Sequence, residues 1–108
     1  DTIVSSLSKT GIILVLDTGA STCSVASDII SKLSTKYFSY LKDSPCILTM
    51  PDIPEPTSFE LTKGFYIRAA DIANEILQKL KIENANPYKD IPEPDPHDIP
   101  GEWFKGPF

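Results

Sequence analysis

Few side chains in this 108-residue sequence are equipped for chemistry, and they are scattered. Asp17 follows the aliphatic run Ile12–Leu16 and precedes Thr18-Gly19. A carboxylate there could activate water if a second carboxylate shared its proton, and with one copy per chain that requires a homodimer. The end of a strand is also where α/β sheets place functional groups. The plainer use of Asp17, and the one its residue type favours, is to cap the start of the next helix together with Thr18, Ser21 or Thr22. Cys23 stands near that helix start, where a thiol can become acidic, although such a cysteine is more often a small packed hydrophobe. His97 is the only histidine, set among Pro94, Asp95, Pro96 and Asp98. Without further imidazoles or thiolates it makes a poor metal ligand set.

The elements that must position these residues are legible from periodicity. Ile3, Val4 and Leu7 behind Asp1-Thr2 suit a short amphipathic helix with a capping start, stopped at Gly11. Ile12–Leu16 is continuously aliphatic, the pattern of a strand covered on both faces in a parallel sheet. Asp17–Ser21 reads as the strand-to-helix turn. Val25, Ile29 and Leu33 then recur at helical spacing, followed by an aromatic cluster of Tyr37, Phe38, Tyr40 and Leu41. Cys46–Met50 is a second strand introduced by Pro45. Pro51–Pro56 is a stiff connection, and Thr57–Tyr66 is irregular structure packed on the sheet. Ile72, Ile76 and Leu80 form the stripe of a helix over 70–81, with Asp71 at its positive end and Lys79 and Lys81 at its negative end. Alternating helices and strands define an α/β fold.

Composition narrows the function. The net charge is −5 and the pI about 4.7, which argues against nucleic acid, whose binders are rich in basic contacts. No apolar run is long enough for a membrane helix, and no signal peptide opens the chain. Two cysteines are too few for a disulfide scaffold, so a reducing, cytoplasmic setting is expected. The first residue is Asp1 rather than Met, which suits a piece of a longer polypeptide. Residues 82–108 hold six of the ten prolines and a net charge of −4, against −1 for residues 1–81. The expected division is therefore a folded body, 1–81, and an acidic proline-rich tail, 82–108. A tail seldom keeps three large aromatics such as Trp103, Phe104 and Phe108 unless they bury against something, either their own domain or a partner subunit that they strap onto.

Two resemblances bear on function. Leu14-Val15-Leu16-Asp17-Thr18-Gly19-Ala20-Ser21 resembles the catalytic signature of aspartic proteases, and would imply a retropepsin-like homodimer using Asp17. Against it stand the helical pattern that follows, the absence of a glycine-rich flap and the missing second apolar-apolar-Gly strand. The second resemblance spans about residues 3–76. Ser8-Lys9-Thr10-Gly11, an aliphatic strand, Asp17-x-Gly19 and an amphipathic helix are similar to the C-terminal domain of the transketolase family. Within that family, Pro51-Asp52-Ile53-Pro54-Glu55-Pro56-Thr57-Ser58, then Leu61, Phe65-Tyr66 and Asp71-Ile72, resemble the β subunit of thiamine-diphosphate-dependent 2-oxoacid dehydrogenases of the pyruvate and branched-chain types. Tyr40-Leu41 ahead of Pro45 fits the same pattern. Sister enzymes such as transketolase or deoxyxylulose-phosphate synthase are the nearest alternative, and the proline-rich segment speaks against them. Ala20-Ser21-Thr22-Cys23 departs from the Gly-rich, Arg-containing loop of many members.

The resemblance implies a mostly parallel five-stranded sheet with helices on both faces. It also implies that this piece has no catalytic, cofactor or metal residues of its own. In that family the Gly-Asp-Gly…Asn motif that holds the cofactor pyrophosphate and Mg²⁺ belongs to the α chain, and the catalytic glutamate to the β subunit's preceding domain. The implied partners are that N-terminal domain, a second β subunit, the α subunit and the acyltransferase core. The parent enzyme would use thiamine diphosphate and Mg²⁺ to decarboxylate a 2-oxoacid and pass the acyl group to lipoamide.

Overall fold

The computed structural model describes residues 1–86, 88–89, 96–97, 99 and 104–107. Helix α1 (Thr2–Thr10) turns Leu7 inward and stops at Gly11, whose φ of 75° lies in the left-handed region and whose N–H donates to the Leu7 carbonyl at 2.8 Å. Only glycine adopts that conformation without cost. Asp1 does not act as the expected side-chain cap; its carbonyl, not its carboxylate, receives the Ser5 N–H. The turn at Gly11 delivers the aliphatic run into strand β1 (Leu14–Ala20). Helix α2 (Val25–Tyr37) then crosses to β2 (Cys46–Met50).

The two strands pair in parallel, with Leu14 opposite Cys46, Val15 opposite Ile47 and Leu16 opposite Leu48. An irregularity follows, after which Ala20 meets Met50. Below the ladder, Lys42 N–H donates to the Gly11 carbonyl and Cys46 N–H to the Ile13 carbonyl, at 2.8 and 3.0 Å. The parallel βαβ unit is therefore as expected. Five strands are not present among the described residues, which form two. Ile12–Leu16 and Cys46–Met50 are the only two runs there with strand composition, and Phe59–Thr62 closes into a 3-10 turn instead.

The small sheet leaves the core thin. Among the described residues the buried apolar side chains are Leu7, Ala26, Leu33 and Phe65. Leu16, read as part of a strand covered on both faces, is 50% exposed. Helix α3 (Ala69–Lys79) starts and ends earlier than its stripe suggests. Its end is a Schellman motif: Lys81 is left-handed at φ 54°, Ile82 N–H donates to Leu77 O and Lys81 N–H to Gln78 O. Polar contacts hold α3 to the start of β2. Lys79 Nζ donates to Ser44 O and Oγ, both at 2.9 Å, and the Cys46 thiol donates to Glu75 Oε1 at 3.0 Å. Ile76 and Leu80 of its stripe face solvent. No helix among the described residues is long and apolar enough to cross a membrane.

Candidate functional site at the strand ends

The C-terminal edge of the parallel pair gathers the residues of greatest chemical interest, as the topology of open α/β sheets requires. Asp17-Thr18-Gly19 lies inside β1, at its irregular end, rather than forming the expected turn. The Asp17 carboxylate accepts the Gly19 N–H at 2.9 Å through Oδ1 and the Ala26 N–H at 3.0 Å through Oδ2. Those two amides, Gly19 first, hold its carboxyl below the ordinary carboxylate value. One oxygen thus satisfies an orphan donor in the first turn of α2, at the positive end of that helix's dipole. Asp17 caps the helix from within the strand. The N-cap position itself belongs to Ser24, whose Oγ accepts the Ser27 N–H at 3.0 Å.

Ser21 and Thr22, expected as co-caps, bond elsewhere. Asp52, in the proline segment after β2, accepts Ser21 Oγ at 2.8 Å, Thr22 N–H at 2.9 Å and Thr22 Oγ1 at 2.6 Å. These donors, led by the Thr22 hydroxyl and amide, pull its carboxyl down to about 2. The latch binds the loop after β1 to the loop after β2. Its sequence signal was the acidic residue flanked by Pro51 and Pro54, opposite two hydroxyl residues in the other strand-end loop. Beside it, Tyr66 O–H donates to Glu55 Oε1 at 2.5 Å, and Phe65 meets Tyr66 edge-on with ring centroids 5.2 Å apart. Thr18, Ala20, Met50, Glu55 and the Phe65-Tyr66 pair enclose a crevice of about 360 Å³.

Cys23 is exposed in the loop, with φ 57°, and is not the packed hydrophobe that residue statistics favour. Cys46 is the packed thiol: burial, then the Glu75 carboxylate, push it up to about 11. His97 sits against the Phe59–Thr62 turn, 2.8 Å from the Phe59 carbonyl and 2.9 Å from Thr62 Oγ1. It does not join the strand-end residues. Of the tail aromatics, Phe104 is 43% exposed, while Trp103 and Phe108 lie outside the described residues.

The strand-end residues do not fit a thiamine diphosphate–Mg²⁺ group. The Asp17 and Asp52 carboxylates are spent on the chain's own amides and hydroxyls, and Glu55 accepts the Tyr66 hydroxyl. Among the described residues no three His, Cys, Asp or Glu side chains converge as metal ligands. The arrangement fastens loops and a helix end. A protein-family model, the transketolase C-terminal domain, matches residues 1–72, and the chain belongs to that family. No curated protein and no solved structure matched the chain.

Proposed function

We propose that the chain is the C-terminal assembly domain of a thiamine-diphosphate-dependent 2-oxoacid dehydrogenase β subunit, non-catalytic by itself. The family match over residues 1–72 carries the proposal. The finer assignment draws on Pro51–Pro56, Leu61, Phe65-Tyr66 and Asp71-Ile72, whose spacing resembles that of those β subunits. The uncovered apolar surface supports an assembly role. Ile3, Leu7, Ile13, Val15 and Ile29 line an open apolar groove of about 550 Å³, and Leu16, Ile76 and Leu80 face solvent. Monomeric domains seldom leave such surface bare.

In this proposal residues 1–81 pack against the β subunit's preceding domain, a second β subunit and the α chain. Residues 82–108 form an acidic extension in which Trp103, Phe104 and Phe108 are candidate anchors on a partner. Thiamine diphosphate and Mg²⁺ are held elsewhere in the parent enzyme, which works in the cytoplasm.

The test supplies the 108-residue chain in trans to a 2-oxoacid dehydrogenase whose β subunit is cut before its C-terminal domain. The expected result is restored decarboxylation that needs thiamine diphosphate and Mg²⁺, with no activity from the chain alone. Rescue of an equally truncated transketolase, and not of the dehydrogenase, would assign the chain to a sister enzyme instead.

A further inference from the structure

We propose that His97 is a clasp that holds and stabilises the Phe59–Thr62 turn. His97 itself lies outside the family-matched region, 1–72, and its contact does not depend on which parent enzyme the domain serves. His97 Nε2 is 2.8 Å from the Phe59 carbonyl and 2.9 Å from Thr62 Oγ1. A carbonyl can only accept, so Nε2 carries a proton and donates to it. The Thr62 hydroxyl donates to the same carbonyl at 2.7 Å, leaving its oxygen lone pairs turned toward the imidazole N–H. One N–H therefore lies across two acceptors, and the tautomer is fixed with its proton on Nε2.

Two further observations make this a built contact. Thr62 is the buried polar residue among those described, 5% exposed, so its hydroxyl has little water to bond instead. The imidazole also lies against the Phe59 ring, with centroids 4.2 Å apart. Within the turn that it grips, the Leu61 and Thr62 amides both donate to the Ser58 carbonyl, at 2.9 and 3.2 Å, and Phe65 N–H donates to the Thr62 carbonyl at 3.1 Å. His97 reaches it across 35 residues from Thr62. Because Nε2 keeps its proton in both the neutral and the cationic ring, the clasp donates in either state. Its opening is a small, reversible step, since one such hydrogen bond changes an equilibrium roughly five-fold.

The experiment is native-state amide exchange on the whole 108-residue chain, wild type beside His97→Ala and His97→Gln. With Ala, the Leu61, Thr62 and Phe65 amides should exchange roughly five- to ten-fold faster, while Lys42 and Cys46 amides at the sheet stay unchanged. Gln, whose amide N–H can reach the carbonyl, should restore part of the protection. In the wild type, long-range proton–nitrogen correlation should place the neutral imidazole's proton on Nε2. Unchanged exchange in His97→Ala, or a proton on Nδ1, would overturn the clasp. If the alanine chain loosens throughout, so that the Lys42 and Cys46 amides also speed up, the Gln variant decides: protection regained at Leu61 and Thr62 supports the clasp, and none regained there, with the sheet amides back to their wild-type rates, overturns it.

Discussion

Gly11→Ala tests the hinge between α1 and the sheet. Gly11 has φ 75°, and a Cβ built on it would stand 2.5 Å from Lys42 Cγ, 2.6 Å from Cδ and 3.0 Å from Cβ. Holding an L-residue left-handed costs about 1–2 kcal/mol. The exposed Lys42 stem can swing its Cγ and Cδ away, but Lys42 N–H is tied to the Gly11 carbonyl at 2.8 Å, so its Cβ cannot retreat. The crowding adds about 1 kcal/mol, the low end for overpacking. Alanine's smaller unfolded-state entropy returns about 0.4–1 kcal/mol. The net loss is about 2 kcal/mol, or about 10 °C in melting temperature for a chain of this size. Urea denaturation followed by circular dichroism should show a lower midpoint with an unchanged slope. In a Lys42→Gly background the same substitution should cost about 1 kcal/mol less, because only the backbone conformation is then penalised. A neutral or stabilising Gly11→Ala would refute the left-handed stop, and equal costs in both backgrounds would refute the contact with Lys42.

Three other outcomes follow from the carboxylates at the strand ends and from the thiols. Asp17 titrates below its ordinary value of 3.8 when folded, so its contribution is complete above that value and is lost as pH falls through the lowered one. Thermal melts of wild type and Asp17→Asn should therefore differ most near neutral pH and converge in acid. Acid-active peptide cleavage abolished by the same substitution would instead make Asp17 a protease residue. Carbon-detected titration should place the Asp52 carboxyl near 2, and Thr22→Val, which deletes its largest donor, should move that midpoint upward; a midpoint at 3.8 in the wild type would contradict the latch. With Cys46 near 11, about one thiol in a thousand is ionised at pH 8. Iodoacetamide should thus modify exposed Cys23 first and reach Cys46 only on unfolding, and comparable rates at both would refute the Cys46–Glu75 bond.

What could be read in the sequence follows from which interactions are local. The bounds of β2 coincide with Cys46–Met50, because Pro45 and Pro51 punctuate it on both sides. The cores of α1 and α2 follow from apolar spacing, and Gly11 marks its stop as expected. The end of α3 was not legible, because a left-handed Lys81 carries no residue-type signal where a glycine would. The residue type of Asp17 points to a helix cap, yet its partner is Ala26, nine residues on, and the hydroxyls expected beside it belong to Asp52. Asp and Gly suggested a turn at Asp17–Gly19, but pairing of Ala20 with Met50 draws the segment into the strand. Long-range hydrogen bonds such as Asp52–Thr22 and His97–Thr62 join residues 30 and 35 apart, and periodicity does not report on them. Nor could spacing reveal how few of the aliphatic side chains would find cover.

That uncovered surface is the centre of the account. The measurement that tests it is sedimentation velocity with amide exchange on the 108-residue chain, alone and mixed with a 2-oxoacid dehydrogenase α subunit and the preceding β-subunit domain. Assembly should carry the chain into one larger species and slow exchange in α1, β1 and α3, the elements bearing Ile3, Leu16, Ile76 and Leu80. A chain that sediments unchanged in the mixture, with the same exchange rates at those elements, would contradict the assembly role.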